Sequence, residues 1–350
     1  MTNHLTVLGL AMLISAPITN IAMAQQPGWA KLPDKASFIH GDDLVTDAMQ
    51  EPDAAAQARM QTPQRKAAGL SSVMVTRDGD VYESPMAQED VALFEEAILT
   101  LEALDGMPDV PGKSPRLHAA DGRDSDGRDS DGSDVDGRDV NGRDRVAPES
   151  VIGPDNRTRI NRTTDLPYRH IGRVATGCTG TLVGPKHVLT AGHCVSDGKG
   201  NFYSSLNVSI AQNGSERPWG TSTWSAVKTT SGWLNGGDTN YDYALIVLDE
   251  PPHGGYAGYG VYQGGDHSIT GYPGDKPRGT MWTHSGPVST SGSYRLCYTI
   301  DTYGGNSGSG IADSGNFVRG VHTTGGSRNC GTRLTSTVYN TIQRWINENP

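Results

Sequence analysis

Residues 301–310 read D-T-Y-G-G-N-S-G-S-G and place Ser307 between glycines in a tight turn. A serine hydroxyl is a weak nucleophile, so it needs an adjacent base. A candidate base, His193, lies upstream in T-A-G-H-C. A candidate acid that would orient this base, Asp242, lies between the two in N-Y-D-Y-A-L-I. Together the three side chains predict nucleophilic attack by Ser307 on a carbonyl group.

The order of these three residues along the chain indicates which type of catalytic triad they would form. His, then Asp, then Ser is the chymotrypsin-type order, whereas subtilisins and α/β-hydrolases use other orders. In this chemistry His193 takes the proton of Ser307 and passes it to the leaving amine, while Asp242 fixes the imidazole tautomer. The N–H groups of Gly305 and Ser307 would form an oxyanion hole, at about 3–4 kcal/mol for each donor. A Gly-rich hairpin tip would explain Ser307 alone, and a strand cap would explain Asp242 alone. Neither alternative explains the presence of three motifs in this order.

Charge is divided unevenly along the chain. Residues 150–350 contain 16 Lys and Arg against 13 Asp and Glu, so the formal net charge of −10 comes from the preceding part. The mildly basic C-terminal part suits acidic substrates. Residues 5–14 form an apolar run that is too short to span a bilayer, and Ala22-Met23-Ala24 fits the small-residue cleavage rule. We therefore predict a secretory signal at 1–24 and an extracellular protein, with a plain hydrophobic N-terminus as the alternative.

The four cysteines all lie in the C-terminal part, at Cys178, Cys194, Cys297 and Cys330. An even number in a secreted chain indicates two disulfides. Cys194 directly follows the candidate base and Cys178 lies 16 residues earlier, so we pair these two, which leaves Cys297 with Cys330. Zinc binding is the alternative, but no C-x-x-C pair supports it.

Residues 25–149 are predicted to be a pro-region. The first stretch, 25–60, is polar and short of aromatic residues, so we expect it to be loosely ordered. In contrast, 71–82 alternates around Asp78-Gly79 like a hairpin, and 92–104 has helical spacing. Residues 121–145 are five pentapeptide repeats, DGRDS, DGRDS, DGSDV, DGRDV and NGRDR. Without large apolar groups they cannot bury a core, so we predict a disordered linker. Calcium binding is the alternative, although EF-hand spacing is missing and Arg interrupts most units.

From residue 150 onward, short apolar runs alternate with clusters of Gly, Asn, Ser and Pro, as is typical of β-barrels. The predicted strands are 174–183, 188–191, 206–210, 243–248, 268–271, 294–300, 317–322 and 333–335. Residues 336–347 have the apolar spacing of a helix. We predict an all-β protein with two packed antiparallel six-stranded barrels and a C-terminal helix. His193 and Asp242 would belong to the first barrel and Ser307 to the second.

The motifs resemble those of the chymotrypsin-like serine peptidases, and more closely those of the bacterial glutamyl endopeptidases, over residues 150–350. The matching segments are S-V-I-G-P-D-N-R-T-R-I from Ser150, L-V-G-P-K-H-V-L-T-A-G-H-C from Leu182, N-Y-D-Y-A-L-I from Asn240, G-Y-P-G-D-K-P from Gly271, D-T-Y-G-G-N-S-G-S from Asp301 and G-V-H-T from Gly320. The resemblance implies cleavage after Glu, less readily after Asp, and no required redox or nucleotide cofactor. One departure is Gly310, where the family has proline.

The resemblance places the specificity pocket at Thr302 and His322. Their hydroxyl and imidazole groups are donors that suit a substrate carboxylate, which is costly to bury unpaired. A core histidine and ordinary strand packing are the alternatives at these two positions. Asp301 lies where trypsin-like enzymes carry the acid that binds Arg or Lys, so cleavage after Arg or Lys is the alternative function. A third hypothesis is an inactive secreted binding homologue on the same fold.

The segment that begins at Ser150 is preceded by Glu149, a bond that a Glu-directed enzyme could cut for itself. Chymotrypsin-like activation uses an Asp before the nucleophile to capture the new N-terminal ammonium, but this chain has Asn306 there. In the resembled family the new N-terminus lies near the specificity pocket instead. We therefore expect a preproenzyme in which Ser150 contributes to substrate binding. The expected partners are acidic peptide substrates and the chain's own propeptide, with no metal, nucleic acid or membrane, and the expected state is a monomer.

Overall fold

A computed structural model describes residues 28–40, 71–85 and 150–348. In these ranges the strands, in chain order, are β1 (Ala30–Lys35), β2 (Ser37–Ile39), β3 (Ser72–Thr76), β4 (Asp80–Ser84), β5 (Thr158–Ile160), β6 (Ile171–Val174), β7 (Thr179–Gly184), β8 (His187–Thr190), β9 (Asn201–Tyr203), β10 (Val208–Ile210), β11 (Trp224–Thr230), β12 (Ala244–Leu248), β13 (Asp266–Gly271), β14 (Met281–Ser291), β15 (Arg295–Tyr298), β16 (Gly310–Asp313), β17 (Val318–Thr324) and β18 (Asn329–Arg333). The helices in the same ranges are α1 (Ser231–Gly236) and α2 (Ser336–Asn347).

Several predicted features fall outside these residues. They are the secretory signal at 1–24, the helix at 92–104 and the repeat linker at 121–145. No helix within the described ranges is long and apolar enough to cross a membrane.

The second barrel is a closed six-stranded sheet. Its strands follow the order β13-β16-β17-β18-β15-β14, and β14 pairs back to β13. Its interior holds Ile269, Leu296, Tyr298, Ile300 and Ile311, which are almost fully buried. The short strand β5 adds to the free side of β14 and brings the start of the described range 150–348 to this barrel.

The first barrel contributes the order β11-β12-β8-β7-β6-β10. A bridge between Val208 and Ser222 places β10 beside the segment that leads into β11. Apolar side chains of these strands form the largest core cluster, which also takes in the buried face of α2. The two barrels with the C-terminal helix confirm the all-β architecture predicted from the sequence.

Helix α2 begins and packs as its sequence pattern predicts. The Thr335 hydroxyl accepts from the N–H of Val338, which satisfies an amide that the first helical turn leaves open. Val338, Ile342 and Trp345 follow each other on one face and are buried in the main core. The helix spans the predicted residues, 336–347.

The hairpin predicted around Asp78-Gly79 is also confirmed, as strands β3 and β4. Gly79 has a φ of 84°, a left-handed conformation that glycine adopts without strain. This hairpin extends the first barrel rather than standing apart, since the order of the enlarged sheet is β1-β4-β3-β11. The expectation of loose order in 25–60 was wrong for the described residues 28–40, because β1 pairs with β4 and β2 with β9.

Two strand predictions were wrong in detail. Residues 174–183 do not form one strand, because the chain turns between Val174 and Cys178, with Gly177 at a φ of 96°. The predicted strand 333–335 overlaps the observed strand β18 only at Arg333. Strands β5, β9 and β16 were not predicted, and neither were the two long strands β11 and β14. The first carries a completely buried lysine, Lys228, and the second contains Gly286 and Pro287, so neither shows the apolar run that predicts a strand.

Candidate active site

His193 and Asp242 form a buried pair in the first barrel. The imidazole Nδ1 lies 2.8 Å from Asp242 Oδ2, and the His193 backbone N–H donates to Asp242 Oδ1 at 2.8 Å. Asp242 is 0% exposed and His193 8%. One carboxylate therefore fixes both the side chain and the backbone of His193. A carboxylate beside Nδ1 favours a proton on that nitrogen, which makes Nε2 the ring nitrogen that can accept one.

The turn that presents His193 is closely packed. Residues Gly192–Cys194 form a short 3-10 turn at the end of β8. A Cβ atom at Gly192 would lie 2.7 Å from the Trp233 ring, so only glycine fits there. The Trp233 ring meets the His193 ring edge-on at 6.0 Å, and its Nε1 donates to Ser196 O at 3.3 Å. The sequence motif T-A-G-H-C thus has a steric reason for its glycine.

Asp242 is also held by the second barrel. The Thr332 hydroxyl donates to Asp242 O at 3.0 Å, and Arg295 Nη1 donates to Thr239 O at 2.7 Å in the turn before it. Arg295 donates further to Thr323 Oγ1, at 2.9 Å. Burial lowers the pKa of the Arg295 guanidinium, while the negative charge of Asp242 opposes that effect. Sequence analysis missed this residue, because no local motif marks it.

Ser307 lies where the two barrels meet. Its carbonyl accepts from Thr179 N–H of β7 at 2.8 Å, and the next residue, Gly308, donates to His322 O of β17 at 2.8 Å. Gly308 has a φ of 85°, and a Cβ atom there would lie 3.1 Å from Ala191 N, two residues before His193. The Ser307 turn and the His193 turn are therefore adjacent, and the tight glycines of the motif make this approach possible.

Gly305, the other proposed oxyanion residue, is fixed in the same turn. It has a φ of 108°, and a Cβ atom at this position would collide with Tyr272 O. Its carbonyl accepts from Thr179 Oγ1 at 2.7 Å. Gly274 N–H donates to the carbonyl of the preceding Gly304 at 2.6 Å, so the loop after β13 supports the turn from behind.

The predicted pocket residues lie on neighbouring segments of the second barrel. His322 and Thr302 are both 0% exposed. The Tyr298 hydroxyl lies 2.6 Å from His322 Nδ1 and fixes the ring from that side. Thr302 Oγ1 is buried and has no hydrogen-bond partner among the described residues. An unsatisfied buried hydroxyl is costly, and a ligand that accepts its proton would remove that cost.

Ser150 lies beside Thr302, one of the two predicted pocket residues. Its N–H donates to Asn329 Oδ1 at 3.0 Å, and its carbonyl accepts from Asn329 Nδ2 at 2.7 Å and from Thr302 N–H at 3.3 Å. Asn329 is itself 0% exposed and also donates to Ile300 O at 2.8 Å. A single asparagine therefore holds Ser150 against the pocket segment. Sequence analysis placed Ser150 here from the resemblance but did not identify Asn329.

Asp301 faces the segment that follows Ser150. Its Oδ1 accepts from Ile152 N–H at 2.9 Å and its Oδ2 from Asn156 N–H at 2.9 Å, and its side chain is completely buried. Its own N–H donates to His284 Nδ1 at 2.8 Å. Both carboxylate oxygens are thus engaged by backbone amides, which is the function that this structure gives to the acid before Thr302.

A group of charged residues anchors the same segment to the loop behind the Ser307 turn. Arg157 donates to Asp155 at 2.9 and 2.8 Å and to Asp275 Oδ1 at 2.9 Å, and Lys276 donates to Asp155 at 2.7 Å. The Arg157 side chain is only 1% exposed. Its fork geometry matches two carboxylates at once. The motif G-Y-P-G-D-K-P therefore supplies an ion-pair partner as well as support for Gly304.

The structure joins Cys178 to Cys194 and Cys297 to Cys330, the pairing given by the sequence argument. In the described ranges, Cys178, His193 and Cys194 are the group of ligand-type residues that lie close enough to hold a metal. Metal binding requires cysteine thiolates. Since both sulfurs are bonded to each other, this group cannot form a zinc site.

Comparison with known proteins agrees with this geometry. The family model described as Trypsin matches residues 157–347. A glutamyl endopeptidase of Bacillus licheniformis is 43% identical over 221 residues, which cover 57% of this chain and 70% of the relative. A Bacillus subtilis protein named extracellular metalloprotease is 40% identical over 222 residues, covering 57% and 71%. A solved Glu endopeptidase in complex with MPD has a TM-score of 0.54 and 33% identity, over 56% of this chain and 99% of that one.

The two barrels and these relatives define a serine endopeptidase, a hydrolase of peptide bonds. The chain belongs to the trypsin family and, within it, to the glutamyl endopeptidases. The metal-dependent activity in the name of the Bacillus subtilis relative is a statement about that protein.

Replacing Arg157 by Met should destabilise the protein, because Asp155 and Asp275 lose their shared cation. We expect a loss of about 2 kcal/mol, below the range for fully buried pairs because both carboxylates are partly exposed. Chemical denaturation in a Ser307→Ala background, which prevents self-digestion, measures the free energy of unfolding. Arg159→Met, on the exposed side of β5, is the matched control and should change it by less than about 0.5 kcal/mol.

The same ion group predicts an acid dependence. The hydrogen bond from Arg157 holds the pKa of Asp155 below its ordinary value. Because the folded pKa is the lower one, the ionised carboxylate contributes stability above about pH 4 and loses it as the pH falls toward the folded value. The difference in melting temperature between the parent and Asp155→Asn should therefore be largest near neutral pH and narrow below about pH 4. A difference that is constant with pH would argue against the ion pair.

Proposed function

We propose that this serine endopeptidase is secreted, cleaves preferentially after Glu and less after Asp, and is made as a precursor activated by a cut between Glu149 and Ser150. The observation that carries the proposal is the buried, unpartnered hydroxyl of Thr302 next to Ser150. A hydroxyl and an imidazole can both donate hydrogen bonds to an acceptor, and a glutamate carboxylate is a negatively charged acceptor.

Catalysis uses Ser307, His193 and Asp242. The Ser307 oxygen attacks the scissile carbonyl while His193 Nε2 takes the hydroxyl proton, and Asp242 stabilises the resulting imidazolium. The N–H groups of Gly305 and Ser307 stabilise the negative charge on the substrate oxygen. Collapse of the intermediate transfers the proton from His193 to the leaving amine and leaves an acyl-enzyme, which water then hydrolyses with His193 again as base.

The hydrogen bonds of Asp301 favour Glu over Arg or Lys as the substrate residue before the cut. In a trypsin-like pocket the acid at position 301 has to face the substrate cation. Here both oxygens of Asp301 accept from the amides of Ile152 and Asn156, and the group is buried. Turning it toward a ligand would leave two amides unsatisfied, at about 1–3 kcal/mol each. His322 on the pocket strand is a poor neighbour for a cationic substrate.

Activation changes the charge at Ser150. In the intact chain its nitrogen is an amide that donates to Asn329. After cleavage the same nitrogen becomes an α-ammonium with an ordinary pKa of about 8. A unit charge pair 4 Å apart gains about 4 kcal/mol at an effective dielectric constant of 20, before desolvation. The new cation would therefore strengthen binding of a substrate carboxylate at the adjacent pocket.

Replacing Ser307 by Ala should lower kcat by at least about 10⁴-fold, because no nucleophile remains while the fold loses one oxygen atom. Hydrolysis of a Glu-containing fluorogenic peptide measures the rate, and a fluorophosphonate probe should label the parent but not the variant. Ser309→Ala, two residues away in the same motif, is the matched control and should keep both activity and labelling. Near-parental activity of Ser307→Ala, or a parent that takes no label, would exclude the assignment and favour an inactive homologue.

Substrate preference is tested with peptides that differ only in the residue before the cut. Glu should be cleaved far faster than Gln, Lys or Arg, and His322→Val should reduce kcat/KM for Glu by about 10–100-fold, the effect of one charge-assisted hydrogen bond. Thr302→Val, which removes one hydroxyl at nearly constant volume, should act in the same direction. A parent that prefers Lys or Arg, and that loses this preference in Asp301→Asn, would establish the trypsin-like alternative.

The activation site is tested on the Ser307→Ala precursor with a trace of active enzyme. The product should begin at Ser150, and a Glu149→Gln precursor should stay uncut, because the pocket then receives no carboxylate. A chain that carries two extra residues before Ser150 should lose most of its preference for Glu over Gln, since its ammonium is displaced from Asn329. If the extended form keeps its full preference, the ammonium has no role, although the catalytic group would stand.

A further inference from the structure

The N-terminal part of the chain completes the edge of the first barrel. Strand β3 pairs with β11 from Thr76 opposite Ala226 to Ser72 opposite Thr230, and β2 runs parallel to β9. A bare edge strand exposes a row of backbone N–H and C=O groups. We name residues 28–40 and 71–85 the N-terminal module. It satisfies the backbone groups of β11 on the side opposite β12.

Apolar side chains of the module are part of the protein interior. Met74 and Val75 are completely buried, and Val73 is 4% exposed. Val73 and Val75 belong to the main core of the first barrel, whereas Met74 packs in a separate cluster with Ala226 and Tyr82. These hydrophobic contacts do not depend on the peptide bond before Ser150, so a cut there leaves them in place.

The module also binds the C-terminal helix. Ser72 Oγ accepts from Arg344 Nη2 and from Trp345 Nε1, both at 2.9 Å. The completely buried ammonium of Lys228 donates to Trp345 O at 3.0 Å and lies 5.1 Å from the centre of the Trp29 ring. The module, β11 and α2 therefore share one polar cluster among apolar groups, in which Ser72 and Lys228 both bond to α2.

A short path connects the module to the catalytic histidine. Ser71 O accepts from Ser231 N–H at 2.9 Å at the start of α1. Thr230, the last residue of β11, caps α1 by accepting from Trp233 N–H at 3.1 Å. The Trp233 ring then packs edge-on against the His193 ring. Ser71, directly before β3, thus holds the point at which β11 ends and α1, the helix that carries Trp233, begins.

We propose that the N-terminal module stays bound after the cut before Ser150, as a non-covalent second chain seated on β11 and β9, and that it positions His193 through α1 and Trp233. The partner of this surface is therefore a piece of the chain's own pro-region. The inference rests on the proposed activation cleavage. It extends that proposal, because a propeptide is otherwise expected to leave.

The association is tested without relying on self-cleavage. In the full-length Ser307→Ala chain, residues 145–149 are replaced by the recognition site of an unrelated protease that cuts directly before Ser150. After the cut, size-exclusion chromatography and intact mass show whether the N-terminal fragment travels with the protease part. We expect co-elution in buffer and separation in denaturant. Elution of a free fragment in buffer overturns the proposal, whether or not the enzyme would have cut at Glu149.

Hydrogen exchange gives a second measurement that needs no destabilising substitution. The backbone amides of β11 that face β3 should exchange as slowly in the cut protein as in the intact one, because the module still covers them. Fast exchange of these amides after the cut, with unchanged exchange in β12, would mean that the module leaves while the barrel stays folded, and would overturn the proposal.

The positioning role is tested with active Ser307 protein cut in the same way. Met74→Lys places a charge in the buried contact and should release the module, whereas Asp34→Lys on the exposed part of β1 is the matched control. Release should lower kcat by about 10–100-fold, as expected for a displaced catalytic base, with KM changed by less than about threefold because the pocket lies in the second barrel. A Met74→Lys protein that has lost the module but keeps its kcat would exclude positioning. If this variant does not fold, Ser72→Ala, which removes only the bonds to α2, takes its place.

Discussion

The carboxylate of Asp242 is the constraint on which the geometry of the proposed catalytic group depends. It is fully buried and accepts from both the backbone and the ring of His193, so its negative charge is balanced by two donors of one residue. Its backbone, in turn, is held by Thr332 of the second barrel. Because Ser307 is bonded to β7 of the first barrel and adjoins β17 of the second, neither barrel can shift without moving part of the site. The packing between the barrels is therefore part of the chemistry.

A second buried carboxylate, Asp301, organises the start of the protease part in the same way. Its oxygens accept backbone amides from Ile152 and Asn156, and the Arg157 ion group ties the next residues to the loop behind Gly304. Both acids accept hydrogen bonds from backbone amides of distant segments. Because both carboxylates are buried, water does not compete for these hydrogen bonds. Trypsin-like enzymes carry at this position the acid that binds a substrate cation. Here the carboxylate holds the chain's own backbone, and turning it toward a ligand would leave two amides unsatisfied.

The sequence predicts the site well where local chemistry determines it. The glycines around Ser307 and His193 have a steric cause, and such causes leave short motifs. The architecture and α2 follow from apolar periodicity. The polar residues that hold the site together are not marked by any local motif. Arg295 bonds to Thr239, Thr323 and Thr324, and Asn329 bonds to the backbone of Ser150 and Ile300, all distant in sequence. Strand β11 was missed for a related reason, because its buried Lys228 has its partners on α2, more than a hundred residues away.

The hydrogen bonds of Ser150 bear on the activation proposed above, a cut between Glu149 and Ser150. In trypsin-like activation the new terminus forms an ion pair with an acid beside the nucleophile, but Asn306 offers none and its N–H is already bonded to Tyr303 O. In the intact chain, Ser150 is hydrogen-bonded to Asn329 and to Thr302, one of the two predicted pocket residues. No large insertion of the terminus is therefore required. A cut at this bond adds a charge to a group that is already in place, so specificity can change while the rest of the fold stays as it is.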